Sequence, residues 1–238
     1  MSRPLFGRLG GKSRIANKIV PYFPPHKVYV EPMVGGGSVF FAKPHAEREI
    51  LGDKDPDVIT LFRAAKNGVT CNRSVKNQDH QRKLIKKRST NACDIYSRIK
   101  CSFGSMGDSP SRPEDYPCSI SWPNPESAKR LRKVSIVKAD FETTMRKYDG
   151  AGTLHYLDPP YYGTHGYGNG LDVSPERVKK AALAMRGNVV ISYNGHPVVR
   201  KTFCKKPSMF KCRPIRQPVA ACSAGYCGTR RDLVIVKK

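Results

Sequence analysis

A strand that leads directly into a glycine-rich loop constrains the fold of this chain more than any other feature of its sequence. Residues 27–30 are typical of a short buried strand, and residues 31–38, which follow at once, contain three consecutive glycines before a new apolar stretch begins a helix. A second short strand over 49–52 ends at Asp53, and residues 57–66 place their apolar side chains on one helical face. This β-α-β-α order predicts a parallel sheet covered by helices.

The same alternation of strands and helices returns in the second half of the chain. Besides an amphipathic helix over 13–23, we predict strands over 134–137, 153–157, 188–193 (closed by a turn at Asn194 and Gly195) and 232–236, and a helix over 175–185. Between these halves, from residue 71 to about 133, the periodicity fades and serine, proline and basic residues accumulate. The sequence therefore predicts one α/β sheet interrupted by a basic insertion over 71–135, which we do not expect to resemble core sequence.

Positive charge dominates the composition and is unevenly distributed. The 238 residues include 43 Lys and Arg against 19 Asp and Glu, a formal net charge of +24. Residues 71–135 hold 14 basic and six acidic side chains, and residues 200–238 hold 11 basic side chains and the single acid Asp232. Such an excess favours a polyanionic partner, and we expect nucleic acid.

Two dense basic runs are the candidate phosphate contacts. The run in the insertion comprises Arg82, Lys83, Lys86, Lys87 and Arg88. The run near the end of the chain comprises Lys205, Lys206, Lys211, Arg213 and Arg216. We expect both to bind the backbone of duplex DNA, because phosphate neutralisation by Lys and Arg supplies most sequence-independent affinity.

Hydrophobic runs in this chain are short. None outlasts a strand such as 189–191, so a membrane protein is excluded. The amino end has neither an apolar core nor a small-residue cleavage site, so we expect a cytoplasmic protein, in a bacterium or in a host cell if a phage encodes it.

The eight cysteines include no C-x-x-C pair. A metal site is therefore not expected, because structural zinc sites normally present closely spaced ligand pairs. In a cytoplasmic chain we expect these cysteines to be reduced and to act as small buried apolar residues.

The first candidate site is the glycine loop together with Asp53. Gly35 and Gly37 allow a ligand to approach the backbone closely, and an acid about 20 residues later, at the next strand end, is suited to bind ribose hydroxyls. The full G-x-G-x-x-G spacing of dinucleotide-binding loops is missing, and a tight structural turn explains the glycines nearly as well. The pattern indicates a nucleoside ligand rather than NAD specifically.

The second candidate site is Asp158-Pro159-Pro160-Tyr161, at the end of the strand over 153–157. Open α/β sheets keep their active sites at this edge, and two prolines hold the backbone rigidly. The Asp158 carboxylate and the Pro159 carbonyl can each accept one N–H of an exocyclic amine, which localises the nitrogen lone pair for attack on an electrophilic methyl group. Tyr161 is placed to stack on the base. These three residues are the catalytic candidates.

Together with Gly10-Gly11-Lys12, the two motifs Glu31-Pro32-Met33-Val34-Gly35-Gly36-Gly37 and Asp158-Pro159-Pro160-Tyr161 resemble the Dam-type (D12 class) DNA adenine-N6 methyltransferases. The order, with the cofactor loop before the catalytic tetrapeptide, is similar to the alpha arrangement of amino-methyltransferases. The resemblance covers roughly residues 8–66 and 136–198. It implies a Rossmann-like S-adenosylmethionine-dependent methyltransferase sheet with helices on both faces, in which 1–70 and 136–238 form the catalytic domain and 71–135 a target-recognition insertion.

The resemblance also implies roles for single residues. Lys12 matches the lysine of the family's G-G-K, and Asp53 matches the acid that reaches the ribose. Asp140 and Phe141 are similar to the segment that contacts the adenine of the cofactor, while Asp158 lies between both ligands. The implied cofactor-binding residues are Arg8, Lys12, Gly35, Gly37, Asp53, Asp140, Phe141 and Asp158. Arg8 stands where the family commonly has an aromatic residue, and Met33 stands where it usually has phenylalanine.

The function implied is transfer of a methyl group from S-adenosylmethionine to a flipped-out adenine in duplex DNA, by a monomer that needs no metal. Cytosine-N4 and RNA adenine methylation use the same amine chemistry and remain alternatives. A different class is a non-enzymatic, basic nucleic-acid-binding protein that has inherited the fold. Binding of S-adenosylmethionine and transfer of its methyl group separate these classes.

Overall fold

A seven-stranded sheet forms the centre of the molecule in a computed structural model, which describes residues 3–8, 10–163, 173–205, 207–218 and 229–237. The strands are β1 (Val28–Glu31), β2 (Arg48–Asp53), β3 (Cys71–Val75), β4 (Cys118–Trp122), β5 (Ser135–Lys138), β6 (Thr153–Leu157), β7 (Asn188–Asn194), β8 (Phe210–Pro218) and β9 (Thr229–Lys237). The large sheet has the order β5-β2-β1-β6-β7-β9-β8, and β3 and β4 pair separately. From β5 to β7 all neighbours are parallel, whereas β9 runs antiparallel to both β7 and β8.

Nine helices are described: α1 (Ala16–Ile19), α2 (Ser38–Ala42), α3 (Pro56–Lys66), α4 (Gln78–Lys87), α5 (Ala92–Lys100), α6 (Pro125–Leu131), α7 (Phe141–Lys147), α8 (Pro175–Ala184) and α9 (Pro197–Cys204). α3 begins where Asp55 caps it by accepting from the Asp57 amide, with Pro56 in the first turn. No helix in the described part of the chain has both the length and the apolar character needed to cross a membrane.

The α/β alternation expected at both ends of the chain is confirmed. β1, β2, β5, β6, β7 and β9 match the predicted strands to within three residues at each end, and α3 and α8 match the predicted helices. The predicted helix over 13–23 is shorter: it is α-helical over Ala16–Ile19 and continues as a 3-10 turn over Val20–Tyr22. Pro21 explains the break, because proline has no N–H to donate to the preceding turn.

The insertion is more regular than the sequence suggested. It contains the antiparallel pair β3 and β4 and the helices α4, α5 and α6. Ile95, Ile120 and Trp122 are buried in one apolar cluster with Phe40 and Leu61 from the large sheet's helices. The expectation that this segment is not core-like was therefore wrong. Its apolar residues are few and are separated by buried polar ones, so periodicity alone does not reveal them.

Two elements near the end of the chain were not predicted. After β7 the chain enters α9 rather than turning back at Asn194 and Gly195, and the strand β8 follows. β8 contains Pro214 and Pro218 and several basic residues, which weaken a strand signal. An edge strand tolerates these prolines, because one side of its backbone makes no ladder hydrogen bonds.

Six cysteines form three disulfides, which corrects the expectation of reduced, isolated thiols. The pairs are Cys71–Cys93, Cys101–Cys118 and Cys204–Cys212, with Cα atoms 5.5, 5.9 and 5.8 Å apart. The first two attach α5 to β3 and to β4. Tertiary structure brings these pairs together across 8 to 22 residues, so their spacing along the chain carried no signal. Cys222 and Cys227 lie outside the described residues.

Candidate active site

The candidate site lies at the point where the strand order of the sheet changes direction. β2 and β5 extend from β1 on one side, while β7, β9 and β8 extend from β6 on the other. Glu31 ends β1 and Asp158 directly follows β6, so both acids lie at the carboxyl edge of two adjacent parallel strands. Ligands of open α/β sheets bind in the crevice at such a switch point.

The glycine loop forms one wall of this crevice. Gly35 has a φ of +49°, a left-handed conformation, and no heavy atom lies within 4 Å of the position its Cβ would occupy. Behind the loop, the Leu5 amide donates to the Gly36 carbonyl at 3.0 Å, and a side chain on Gly36 would collide with the Phe6 carbonyl. Gly37 precedes α2 and is also left-handed, with a φ of +75°. The loop is therefore closed on one side and open on the side of Gly35.

Asp53, the last residue of β2, lies beside this loop. Its Oδ2 accepts from the Gly35 amide at 3.0 Å, and its Oδ1 accepts from the Asp55 amide at 3.0 Å. Burial raises the pKa of Asp53 above its ordinary value, and these two backbone hydrogen bonds oppose that rise. Each carboxylate oxygen has a second lone pair, so both can still accept a hydroxyl. Binding of a ribose by Asp53 stays a prediction.

Lys12 and Asp158 form the central ion pair of the site. The Lys12 ammonium lies 2.5 Å from Asp158 Oδ1 and also donates to the Gly10 carbonyl at 3.0 Å. It is almost completely buried, with 3% of its side chain exposed, whereas 21% of the Asp158 side chain is exposed. The two residues are far apart in sequence, and the structure thus brings the G-G-K motif to the tetrapeptide.

Tyr161 is held from two directions. Its hydroxyl donates to Asp232 Oδ2 at 2.7 Å, and Asp232 is fully buried on β9. The Lys12 ammonium lies 4.5 Å from the centre of the Tyr161 ring, and the Tyr193 ring is nearly parallel to it at 6.4 Å. The lysine therefore occupies part of the ring's surroundings, and stacking of a base on Tyr161 stays a prediction.

Ser192 contacts Asp158 from within the sheet, and Tyr156 contacts Ser192; neither residue was among the predicted site residues. Ser192, on β7, donates to Asp158 Oδ1 at 2.8 Å, and the Tyr156 hydroxyl lies 2.8 Å from Ser192 Oγ. Both side chains are fully buried. The sequence did contain a signal, because the segment over 192–195 lies at the carboxyl end of a predicted strand, but a buried strand closed by a turn explained it equally well.

Glu31 is a third buried residue at this edge of the sheet that was not among the predicted site residues. It is 2% exposed and accepts from the Tyr29 hydroxyl at 2.6 Å. Burial raises the pKa of Glu31 to about 8, the hydrogen bond from Tyr29 opposes this rise, and the nearby charge of Asp158 adds to it. Glu31 is thus a mainly neutral acid at pH 7. Two signals indicated it, its place in the motif over 31–37 and its position at the end of β1.

The remaining predicted cofactor residues have partners within the protein. Arg8 pairs with Asp55 at 2.7 Å, at the start of α3. Asp140 caps α7 and pairs with Arg177 at 3.2 Å. Phe141 is buried, with the Arg177 guanidinium 4.9 Å from its ring centre. Contact of Arg8, Asp140 and Phe141 with a cofactor stays a prediction.

The basic run of the insertion lies on and after α4. Arg82, Lys83, Lys86, Lys87 and Arg88 are all exposed. Arg82 pairs with Asp79 at 2.7 Å and Lys87 with Asp94 at 2.9 Å, so part of this charge is neutralised within the chain.

In the second run, Lys205, Lys211, Arg213 and Arg216 are exposed, the last three on β8. Lys206 lies outside the described residues. DNA contact by either run stays a prediction.

The insertion also approaches the amino-terminal segment of the chain. Ser105 lies close to Gly7, because a Cβ on that glycine would be 3.7 Å from the Ser105 hydroxyl, and Gly7 follows the segment that supports the glycine loop. Phe103, in the same turn, is 54% exposed.

A family model describes part of this chain. Residues 9–105 match the model of the D12 class N6 adenine-specific DNA methyltransferases. The predicted resemblance to the D12 class is confirmed. The matched segment contains Lys12, the glycine loop and Asp53, and it extends beyond the range 8–66 that the motifs suggested into α4 and α5. It ends before the tetrapeptide at Asp158.

One relative is similar to this chain over a short stretch of sequence, in agreement with the D12 match. A DNA adenine methylase of Haemophilus influenzae is 43% identical over 68 residues, which are 28% of this chain and 23% of that protein. This chain thus matches less than a quarter of the length of that curated relative.

Solved structures of similar extent also exist. A conserved hypothetical protein of Streptococcus pyogenes has a TM-score of 0.45 and 13% identity, with 96% of each chain covered. A putative methyltransferase of Streptococcus mutans, solved in complex with SAH, has a TM-score of 0.43 and 11% identity, with 100% of this chain and 99% of that chain covered. The strand order of the large sheet is that of a Rossmann-like fold.

Proposed function

We propose that this chain is an S-adenosylmethionine-dependent DNA adenine-N6 methyltransferase. The observation that carries the proposal is the position of Asp158, the first residue of the D-P-P-Y tetrapeptide, in the same crevice as the glycine loop and in contact with Lys12 of the G-G-K motif. The D12 match over residues 9–105 and the methylase relative support this assignment.

The crevice fits the proposed cofactor. The open side of Gly35 gives room for a ligand against the backbone, Asp53 offers acceptors suited to ribose hydroxyls, and Lys12 is a cation suited to a carboxylate. Gly37, Arg8, Asp140 and Phe141 complete the proposed binding residues. When bound, S-adenosylmethionine supplies an electrophilic methyl group.

The chain's own groups then act on the target amine. Asp158 and the Pro159 carbonyl each accept a hydrogen bond from one N–H group of the amine. The nitrogen lone pair is then no longer delocalised into the ring and can attack the methyl group. Lys12 holds the Asp158 carboxylate in place through their ion pair and remains outside the reaction. Because the amine is stacked inside a duplex, the adenine must leave the helix and enter the crevice beside Tyr161.

The basic surfaces are assigned to the DNA. The insertion over 71–135 would select the target sequence, since contacts with base edges specify a site whereas phosphate contacts position the protein. The runs on α4 and β8 would supply the phosphate contacts. We propose that the protein acts as a monomer on duplex DNA.

The test is methyl transfer with a chemical readout of the product. The full chain is incubated with radiolabelled S-adenosylmethionine and unmethylated duplex DNA, and the nucleosides are separated after digestion. We expect N6-methyladenine as the labelled nucleoside. Label found only in N4-methylcytosine would make the chain a cytosine-N4 methyltransferase. Label found only in RNA, when an RNA substrate is supplied instead, would make it an RNA adenine methyltransferase.

Two variants and one binding measurement complete the test. Asp158→Ala should abolish transfer, and Asp158→Asn should reduce it strongly because an amide replaces the charged acceptor. Both are checked by circular dichroism for folding. If the wild-type chain binds DNA but shows neither cofactor binding by calorimetry nor transfer, the protein belongs instead to the non-enzymatic, DNA-binding class.

A further inference from the structure

The two oxygens of the Asp158 carboxylate have different surroundings. Oδ1 accepts from both the Lys12 ammonium, at 2.5 Å, and the Ser192 hydroxyl, at 2.8 Å. Among the described residues, none donates a hydrogen bond to Oδ2. A carboxylate whose first oxygen is held by two donors has a fixed orientation, and its second oxygen stays available for an incoming N–H.

The hydroxyl protons in this cluster have a defined direction. The Ser192 hydroxyl has one proton and donates it in a hydrogen bond to the Asp158 carboxylate, which can only accept. The Tyr156 hydroxyl, 2.8 Å from Ser192 Oγ, must therefore be the donor in that hydrogen bond. Burial raises the pKa of Tyr156 well above its ordinary value, with the charge of Asp158 as a further cause, so the phenol keeps its proton. The chain of donation runs from Tyr156 to Ser192 to Asp158.

We propose that Ser192 is a positioning residue for the methyl transfer, which orients Asp158 so that Oδ2 receives the target amine, and that Tyr156 acts through it. This inference rests on the proposed function. Ser192 contacts no reacting atom itself. Its effect is to remove the rotation of the carboxylate about the Cβ–Cγ bond, and donation from Tyr156 strengthens the Ser192 hydrogen bond because successive hydrogen bonds polarise one another.

A simple packing role for Ser192 makes a different prediction, and the chain offers a matched control for it. Ser127, on α6, is also fully buried and donates one hydrogen bond, to the Arg3 carbonyl at 2.7 Å, but it does not belong to the site. Ser192→Ala and Ser127→Ala remove the same atom from equally buried positions. Only the first should affect the chemical step.

The experiment measures single-turnover methyl transfer at saturating S-adenosylmethionine and duplex DNA. We expect Ser192→Ala to lower this rate by up to about a hundredfold, since misplacing a reacting group by about 1 Å has an effect of that size. The dissociation constants of cofactor and DNA should stay within about twofold of wild type. Ser127→Ala should keep the wild-type rate, even where its melting temperature falls.

Tyr156→Phe adds a second, independent readout. Its rate should also fall, though less than that of Ser192→Ala, because the serine still donates but is no longer polarised. The double variant should be no slower than Ser192→Ala alone, since Tyr156 acts through the serine. Additive losses in the double variant contradict this dependence.

The possible failures are distinguishable. A wild-type chain that transfers no methyl group to any nucleic acid overturns the proposed function and, with it, this inference. An active wild type together with a folded Ser192→Ala variant of normal rate overturns the inference alone. If Ser192→Ala does not fold, Tyr156→Phe is the deciding variant. A normal transfer rate in Tyr156→Phe would then overturn the inference.

Discussion

Three acids at the carboxyl edge of the sheet differ because their immediate neighbours differ. Asp158 faces the Lys12 ammonium, Asp53 faces two backbone amides, and Glu31 faces the hydroxyl of Tyr29 in a fully buried position. A cation stabilises the charged form directly, amides stabilise it by hydrogen bonding, and burial favours the neutral form. Residues of similar chemistry are therefore suited to different tasks.

Glu31 should make the protein less stable as the pH rises. Its pKa is about 8 in the folded chain, against an ordinary value of 4.5, so the folded state binds more protons than the unfolded state between these values. Its contribution to stability is complete below about pH 4.5 and is lost as the pH rises towards 8. The slope is at most about 1.4 kcal/mol per pH unit.

Glu31→Gln should flatten this dependence. The free energy of unfolding, measured by urea denaturation at pH 5, 6, 7 and 8, should fall less steeply than in wild type. Glu47→Gln is the control, because Glu47 is exposed and lies outside the site. Equal slopes in wild type and Glu31→Gln would mean that Glu31 titrates as an ordinary surface acid.

Asp53→Ala should weaken binding of S-adenosylmethionine without removing a reacting group. Loss of hydrogen bonds to a charged acceptor costs roughly 1.5–3 kcal/mol, which corresponds to about 10- to 150-fold in the dissociation constant. The variant also leaves the Gly35 amide without its acceptor, so the loop itself is expected to loosen. Calorimetric titration measures the affinity, and an unchanged value would rule out contact between Asp53 and the cofactor.

Among the helices, α5 connects the insertion to α3, which packs on the large sheet. Arg98 on α5 pairs with Asp57 in the first turn of α3, immediately after the Asp53 and Asp55 acids. From the other side, buried Gln81 on α4 donates to the Arg98 carbonyl at 2.8 Å. The basic helix α4 is therefore held on a rigid support and does not project as a loose arm.

Lys83 and Lys86 on α4 should be the better phosphate-binding residues of the first basic run. Both are exposed, and no described residue pairs with them, whereas Lys87 already pairs with Asp94. Replacing Lys83 and Lys86 by alanine should reduce the slope of log affinity against log salt by about 0.9 for each phosphate that the variant no longer neutralises. All duplex sequences should be affected alike, because phosphates carry no sequence information.

Lys87→Ala provides the comparison within the same helix. Its effect on the salt slope should be smaller than that of either other lysine, since its ammonium is shared with Asp94. The measurement is fluorescence anisotropy with a labelled duplex at several salt concentrations. An unchanged slope in the Lys83 and Lys86 double variant would show that α4 faces away from the DNA.

At the scale of the whole molecule, the insertion and the large sheet share one apolar cluster. Trp122 on β4 is 2% exposed, its ring stacks on Tyr96 at 5.2 Å, and its indole N–H donates to the Leu5 carbonyl at 3.0 Å. Leu5 in turn supports the glycine loop. This continuity joins the segment that is proposed to bind DNA to the one proposed to bind the cofactor.

The shared cluster predicts cooperative unfolding of the described parts. Trp122 is the single tryptophan, so its fluorescence reports the insertion, while far-UV circular dichroism reports helices throughout the chain. The two signals should give the same urea midpoint and the same slope, as in a two-state transition. A fluorescence midpoint clearly below that of circular dichroism would identify the insertion as a separately unfolding unit.

The amino-acid sequence alone predicted most of the strand and helix order outside the insertion, except α9 and β8, together with the glycine loop and the place of Asp158 after a buried strand. These features are local, because hydrophobic periodicity and glycine content reflect the conformation of a few neighbouring residues. The likeness to the D12 class was visible for the same reason, since its motifs are short and contiguous.

Which side chains meet depends on how the elements pack, and the sequence did not predict these contacts. Lys12 and Ser192 contact the same oxygen of Asp158 although they are far apart in the sequence. Six cysteines form disulfides that their spacing along the chain did not predict. Burial also determines two other features, the regular structure of the insertion and the raised pKa of Glu31. Burial and long-range pairing are properties of how elements pack, and a pattern along the chain records which residues are apolar but not which neighbours will cover them.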